Sequence, residues 1–192
     1  MSILLTRRTA LAAGAGLVTL SAPALSQARR RLTVATGGTG GVYFVYGGGL
    51  ARVLTEKLPN TQATSQVTGG SVDNINLVTS GDADIGFSTL DSVIDALNGA
   101  AAYARGGKRD VKVIAVLYDN VLHTVAQPSL NSVADMKGKR IGVGSAGSST
   151  EGWADRTLAA AGLNPKTDII RDNLGVAECA NALADGKIAG FF

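Results

Sequence analysis

The chain has 192 residues, 45% of them hydrophobic, and its 18 basic residues only slightly outnumber its 15 acidic ones. The charges of both signs are interspersed, which excludes the concentrated basic face of a nucleic-acid-binding protein. The single cysteine, Cys179, excludes an internal disulfide, so the stability of the fold must come from a packed core. A chain of this length is long enough for one domain or for two small lobes.

The N-terminal segment, residues 1–28, has the layout of a secretory signal peptide. It contains Arg7 and Arg8 but no acidic residue, followed by an apolar run over 10–20 and a small-residue end. The arginine pair resembles a twin-arginine export signal, although alanines stand at two of that signal's usual positions, so the Sec and twin-arginine routes both remain open. The apolar run is shorter than the roughly 20 residues that cross a bilayer. We therefore expect a periplasmic protein that does not span the membrane after this segment is cleaved.

Strands alternate with helices through the first half of the remaining chain. Apolar residues at strand or helix spacing, with glycine or proline at the ends of the runs, define six elements. In chain order these are a strand over 32–36, a helix over 42–58, a strand over 63–68, a helix over 71–81, a strand over 83–88 and a helix over 91–97. The glycine- and charge-rich stretch 106–110 separates them from the second half.

The second half repeats the alternation after two consecutive strands, which we interpret as the passage from one lobe to the other. Its elements are strands over 111–118 and 122–126, a helical turn over 133–137, a strand over 140–144, a helix from 148 to 162, a strand over 168–171, a helix over 176–183 and a strand over 188–192. Ser148 and Glu151 have capping-box spacing, which predicts the start of the long helix. The alternation predicts an α/β fold with parallel-rich sheets, with lobe 1 at 29–118 and lobe 2 at 119–192.

Three glycine-rich loops, 37–43, 69–71 and 145–150, carry the chemistry of the chain. Each follows the carboxyl end of a predicted strand, where open α/β sheets bind ligands, and each precedes a helix whose N-terminus favours negative charge. Glycines let backbone N–H groups approach a ligand, and serine and threonine hydroxyls add further donors. One helix dipole contributes only about 0.3–1 kcal/mol, so several loops must converge on one anion. Ser71 and Ser148 also suit plain N-cap roles.

The enzyme, cofactor and metal interpretations fail on specific residues. A dinucleotide fingerprint would need glycine or alanine where Tyr43 stands, and no Gly-Lys pair is followed by the serine or threonine of a P-loop. His123 is the single histidine, so no second one can share a metal, and nothing in the sequence places it beside a serine. We therefore expect no catalytic residue, cofactor or metal, and we interpret His123 and Trp153 as core residues.

Three motifs carry a resemblance to a known family. They are TGGTGGVYF at 36–44, GSVDN at 70–74 with ADIG at 83–86, and VGSAGS at 143–148. With these motifs the chain resembles, from about residue 32 to residue 192, the TAXI-type receptors of TRAP transporters. The resemblance implies a type II periplasmic-binding-protein fold, with two lobes on a hinge and the ligand between them. It also implies a glutamate- or dicarboxylate-like organic anion as the ligand and sodium-coupled TRAP membrane subunits as partners.

The departure from that family lies at the C-terminus. The family's receptors continue well past the position of Phe192, so we expect lobe 2 to be incomplete, with Phe191 and Phe192 exposed. Unpaired strand edges near the core would then make the 192-residue chain marginally stable and a poor ligand binder.

These motifs predict an extracytoplasmic solute-binding receptor that captures a small carboxylate. The predicted ligand-binding residues are Gly38, Thr39, Tyr43, Ser71, Ser88 and Thr89 on lobe 1 and Ser145, Ser148, Ser149 and Thr150 on lobe 2. Closure of the two lobes would sequester the anion and present a form that the membrane subunits recognise. Two alternatives remain open: a substrate-binding protein of an ABC importer, which can share the fold, and an exported α/β enzyme.

Overall fold

A computed structural model describes residues 28–192, so the predicted signal peptide lies outside the described residues except for Ala28. The strands are β1 (Arg30–Ala35), β2 (Thr61–Gln66), β3 (Ile85–Gly86), β4 (Val125–Ala126), β5 (Arg140–Gly142), β6 (Ile170–Asp172) and β7 (Gly190–Phe191). The α-helices are α1 (Val42–Lys57), α2 (Ser71–Ser80), α3 (Leu90–Asn98), α4 (Ser149–Ala160) and α5 (Val176–Ala184). Two short 3-10 helices, Ala101–Tyr103 and Val133–Met136, complete the described elements.

The first unit, from β1 to α3, is a three-stranded parallel sheet with the strand order β2-β1-β3. β1 pairs with β2 along all six of its residues and with β3 at its carboxyl end. Neighbouring parallel strands need a crossover connection, which α1 and α2 provide. Two buried apolar clusters hold the unit together: Val34, Ala51 and Phe87 in one, and Ile75, Ala96 and Tyr103 in the other.

The second unit, from β4 to β7, is a four-stranded sheet with the order β4-β7-β5-β6. β5 pairs in parallel with β6 on one side and with β7 on the other, and only β4, at the edge beyond β7, runs antiparallel. Its main buried apolar cluster contains Met136, Ile141, Val143, Ala154, Leu158, Leu163, Ile169 and Phe192. The predicted α/β class with parallel-rich sheets is therefore confirmed.

The predicted helices are all present, with ends within about two residues of their expected positions. Their apolar residues recur at the helical period, and glycine or proline punctuates the chain between them. The predicted turn at 133–137 is a 3-10 helix over Val133–Met136, and the Asp135 carboxylate accepts from the N–H groups of Asn131 and Ser132 at its start, both at 2.9 Å. Between residues 28 and 192 no helix combines the length and the apolar character needed to cross a bilayer.

The connection between the two units differs from its prediction. The sequence predicts strands over 111–118 and 122–126, but residues 107–124 have no regular element and only β4 forms. A strand needs a neighbour for its backbone hydrogen bonds, and no strand in the described part of the chain pairs with 111–118. The apolar side chains over 113–117 are consequently exposed, 82% for Ile114 and 80% for Val116. The lobe boundary placed after residue 118 falls in this connection and stays a prediction.

Two predictions about individual side chains in the second half are wrong. His123 is exposed rather than packed in a core, because it lies on this irregular connection and not on a strand. Phe191 and Phe192 are each only 8% exposed, because β7 inserts between β4 and β5. Phe191 packs with Cys179 and Ile188, so the last residues belong to the core of the second unit.

Candidate functional site

The five α-helices within residues 28–192 each begin shortly after a strand ends. α1, α2 and α3 follow β1, β2 and β3 in the first unit, and α4 and α5 follow β5 and β6 in the second. The first turn of a helix has N–H groups without intrahelical partners and carries a partial positive charge. Because the carboxyl ends of parallel strands lie at one edge of a sheet, each sheet presents a row of such helix starts. We call the space between the two rows the cleft.

The second and third predicted loops meet across the cleft. The carbonyl oxygen of Gly147 accepts hydrogen bonds from the backbone N–H groups of Val72 and Asp73, at 3.0 and 3.2 Å. These are first-turn donors of α2, so an oxygen of the second unit stands where an anion's oxygen binds at a helix start. Beside them, the Ser71 hydroxyl donates to the Ser149 hydroxyl at 3.3 Å. The donors of α2 are therefore directed at the second unit.

Glycine permits this close approach. Gly147 has a φ of +79°, in the left-handed region, and a Cβ atom there would overlap the carboxylate of Asp73. Elsewhere along the cleft the starts of α1 and α5 touch, since a Cβ atom on Gly40 would lie 2.8 Å from that of Ala177. Glycines of the first and third motifs therefore set how closely the two units approach.

The side chain of Asn74, which is fully buried, ties the ends of β1 and β3 together. Its amide nitrogen donates to the carbonyl oxygens of Thr36 and Phe87, at 2.5 and 2.7 Å. Its amide oxygen accepts from the hydroxyl of Thr68, on the loop before α2, at 2.6 Å. The Asn74 side chain thus links the segments that follow β1, β2 and β3. The sequence prediction did not include Asn74, although it stands in the GSVDN motif.

Ser71 connects this framework to the cleft. Its side chain accepts a hydrogen bond from the N–H of Thr89 at 3.2 Å while its hydroxyl donates to Ser149. Ser71 is 1% exposed, so both contacts are shielded from water. The bond from the Thr89 N–H thus holds the start of α3 against the start of α2, and the Thr89 hydroxyl donates to Ser92 within the first turn of α3 at 2.9 Å.

Tyr43 lies half-buried near Ser71, with its ring centroid 5.5 Å from that of Phe87. Burial raises the pKa of the Tyr43 hydroxyl above its usual value, and the charge of Asp91 raises it further. Hydrogen bonding to Ser71 and Asn120 acts in the opposite direction without reversing the shift. The phenol therefore stays protonated at neutral pH and is an uncharged donor at the cleft.

A second connection between the units joins Asp91 of α3 to α4. The indole N–H of Trp153 and the guanidinium of Arg156 donate to the same carboxylate oxygen, at 2.5 and 2.6 Å. Burial acts to raise the pKa of this carboxyl group, but hydrogen bonds from Thr89 and Trp153 and the charge of Arg156 hold the pKa below its usual range. The prediction that Trp153 is a core residue is wrong, because the ring is only half-buried and its N–H has an ionic partner. A cavity of about 270 Å³ beside it is lined by Asn120, Leu122, Trp153, Arg156 and Thr157.

The structure brings four of the predicted ligand-binding residues into one connected group, which consists of Tyr43, Ser71, Thr89 and Ser149. Ser148 is the N-cap of α4, and its side-chain oxygen accepts from the N–H of Glu151 at 3.3 Å, which confirms the predicted helix start.

The other predicted residues lie around this group. Gly38 and Thr39 are exposed on the first loop, and Ser145 and Thr150 are half-buried near the start of α4. The Ser88 hydroxyl donates to the adjacent carbonyl group at 3.1 Å. Ligand binding by any of the ten residues stays a prediction.

The donors that face the cleft are neutral hydroxyls and backbone amides, and the carboxylate of Asp73 lies beside Gly147. Within residues 28–192 no three His, Cys, Asp or Glu side chains are grouped so that they could hold a metal ion. The Cys179 thiol is 1% exposed, and burial raises its pKa to about 11, so it does not suit a nucleophilic role. Hydroxyls, backbone amides and helix starts that face one another suit the binding of a small anion.

The fold, with its two parallel-rich sheets, is shared with solved structures of other proteins. The chain is similar to the alkanesulfonate-binding protein SsuA from Xanthomonas axonopodis pv. citri, solved bound to MOPS, with a TM-score of 0.53 and 21% identity over 84% of this chain and 53% of that one. It is also similar to a protein from Bordetella bronchiseptica RB50, with a TM-score of 0.56 and 20% identity over 84% of this chain and 50% of that one. The chain thus spans about half the length of these proteins. Residues 34–192 match the NMT1-like family, and the chain belongs to that family.

Proposed function

We propose that this chain is the ligand-binding part of a periplasmic solute-binding receptor, which captures a small organic anion in the cleft for a membrane importer. The observation that carries the proposal is the Gly147 carbonyl oxygen bonded to two first-turn amides of α2. A neutral carbonyl is a weaker acceptor than an ionised oxygen, whose hydrogen bonds contribute about 1.5–3 kcal/mol each. An anion that enters between the units would therefore compete well for these donors.

The donors of the cleft support a compact anionic head group that stays clear of the Asp73 carboxylate, which accepts from the N–H of Gly69 beside Gly147. The hydroxyls of Tyr43, Ser71 and Ser149 are uncharged, and the helix starts add partial positive charge. The nearby cation Arg156 is already paired with Asp91. Neutral donors of this kind suit a sulfonate or a carboxylate, whose oxygens can accept several hydrogen bonds at once.

The similarity to SsuA favours the ABC-importer alternative over the TRAP receptor. SsuA is an alkanesulfonate-binding protein, so we propose an alkanesulfonate-like anion as the ligand of this chain. The second candidate is a glutamate- or dicarboxylate-like anion delivered to TRAP subunits. It rests on the motifs at 36–44 and 143–148, which resemble those of TAXI-type receptors.

Titration calorimetry of the exported chain tests the proposal. We expect MOPS or 1-butanesulfonate to bind with a Kd of about 10 μM, equivalent to about 7 kcal/mol. 1-Butanol, which has the same alkyl chain without the charge, is the control and should not bind. Binding of L-glutamate or 2-oxoglutarate without binding of the sulfonates would favour the TRAP receptor. If neither the two sulfonates nor L-glutamate nor 2-oxoglutarate binds at millimolar concentration, the receptor function is contradicted.

A further inference from the structure

Asp91, Trp153 and Arg156 form a contact that the binding of an anion does not require, and we call it the interunit clasp. Its acceptor lies on the first unit, at the start of α3, and its two donors lie on the second unit, one turn apart on α4. Both donors reach the same carboxylate oxygen. Trp153 and Arg156 follow Asp91 by 62 and 65 positions in the sequence, and both contact the Oδ2 atom of its carboxylate.

The two ends of the interunit clasp are anchored in different cores. α4 is held to the second unit by Arg171, whose side chain is 15% exposed and pairs with Glu151 and Asp155. α3 is held to the first unit through its buried residues Ser92 and Ala96. Loss of the interunit clasp should therefore change the distance between the two units, because each helix is fixed within its own unit.

The role of Asp91 in its own helix does not account for this geometry. An aspartate in the first turn stabilises the helix through the helix dipole wherever its neighbours lie. That interaction explains the presence of Asp91, but it does not require an indole and a guanidinium from the other unit. The charged and titratable groups that face the carboxylate are Arg156 on α4 and Tyr43 on α1, and Thr89 adds a neutral hydrogen bond.

We propose that the interunit clasp stabilises the contact between the two units without any ligand and that protonation of Asp91 weakens that contact. Arg156 would lose its ionic partner on protonation, while Tyr43, which is uncharged, would not replace it. The pKa of Asp91 lies below its usual value, so the clasp is formed at neutral pH and weakens as the pH falls through that lowered pKa. The proposal does not depend on the identity of the ligand, because the contact involves protein groups alone.

The separation of the units can be measured with an engineered disulfide between Ser71→Cys and Ser149→Cys, whose hydroxyl oxygens lie 3.3 Å apart. Its rate of formation at neutral pH reports how often the units are in contact. Into this background Asp91→Asn introduces a neutral side chain of the same shape, which represents the protonated carboxyl. Arg156→Gln removes the cation on the other unit. Arg140→Gln is the matched control, because Arg140 pairs with Asp172 inside the second unit.

We expect Asp91→Asn and Arg156→Gln each to slow disulfide formation about fivefold, the size typical of a partly exposed ion pair, with no change for Arg140→Gln. Raising the salt to 1 M should slow the parent more than Arg156→Gln, because a partly exposed ion pair weakens as the salt concentration rises. Trp153 is the single tryptophan, so its emission should shift in the Asp91→Asn variant. If the disulfide forms at the parent rate in both Asp91→Asn and Arg156→Gln, the proposal is overturned. If Asp91→Asn does not fold by circular dichroism, Arg156→Gln decides alone, because its side chain is 55% exposed.

Discussion

The hydroxyl of Ser71 donates to the hydroxyl of Ser149 at 3.3 Å, although the two residues begin helices that belong to different sheets. Ser71 is buried and fixed by the N–H of Thr89, whereas Ser149 is half-buried at the start of α4. The contact brings two positively polarised helix starts together, which is unfavourable unless acceptor oxygens lie between them. Such an arrangement explains why the carbonyl oxygen of Gly147 lies there.

Replacement of Ser149 by glutamate should abolish anion binding. Ser149→Glu places a carboxylate beside the donors of α2, where it would repel an anionic ligand and compete for the same N–H groups. We expect the affinity for MOPS to fall at least tenfold in calorimetry, with the fold retained by circular dichroism. Ser129→Glu, on an exposed loop, is the control. Unchanged affinity in Ser149→Glu would count against the third loop as part of the site.

Asn74 should be essential for stability. Asn74→Ala would leave the carbonyl oxygens of Thr36 and Phe87 without their buried donor, at a cost of about 2–3 kcal/mol of unfolding free energy. Urea denaturation measures the change. Asn76→Ala, at an exposed position of the same helix, should change the stability by less than about 0.5 kcal/mol. Equal effects of the two substitutions would show that the buried amide is not a structural centre of the first unit.

Alanine substitutions at two adjacent glycines of α1 should change the stability of the chain in opposite directions. A Cβ atom on Gly48 meets nothing within 4 Å, so Gly48→Ala should stabilise the helix by about 0.5–1 kcal/mol. A Cβ atom on Gly47 would overlap the buried side chain of Thr36, so Gly47→Ala should destabilise the chain by about 1–3 kcal/mol. Thermal melts of the two variants test this pair. A higher melting temperature for Gly47→Ala would contradict the packing of α1 on β1.

Cys179 should be nearly inert to alkylation while the chain is folded. Its pKa is raised to about 11, so very little of the thiol is ionised at pH 8, and the side chain is 1% exposed. We expect iodoacetamide to label the folded chain at least tenfold more slowly than the chain in 6 M guanidinium, as followed by mass spectrometry. Rapid labelling of the folded chain would show that the core of the second unit opens readily.

Export should remove residues 1–28, as their charge and apolar layout predicts. Mass spectrometry of periplasmic protein should therefore find a mature chain that lacks Arg7 and Arg8. Lysine replacement of both arginines should block export only if the twin-arginine route is used. An intact Met1 on the periplasmic protein would contradict the prediction.

Local signals predicted most of the helices and the three loops. The spacing of Ser148 and Glu151 predicted the start of α4, because capping is an interaction within four residues and can be read directly. The glycine motifs predicted where the loops lie, and Gly147 adopts a positive φ in one of them. These features depend on neighbours in the sequence.

Contacts between distant residues were not predictable in this way. Nothing near Asp91 or Trp153 indicates that they meet, and Trp153 was interpreted as a core residue on its apolar character alone. The strand predicted at 111–118 failed for a related reason, because residue type favours an extended chain but pairing requires an edge elsewhere. The same limit applied to Phe191, whose burial depends on the insertion of β7 between two strands.

The position of β7 between β4 and β5 has a consequence for the order in which the strands can pair. The three strands of the first sheet end at Gly86 and the core beneath it ends at Tyr103, so the first unit can form without the later strands. β4 has β7 as its single strand partner among the described residues, and β7 is not made until residues 190 and 191. β4 therefore has no strand partner until residues 190 and 191 are in place, so we expect the second sheet to be the later of the two to form.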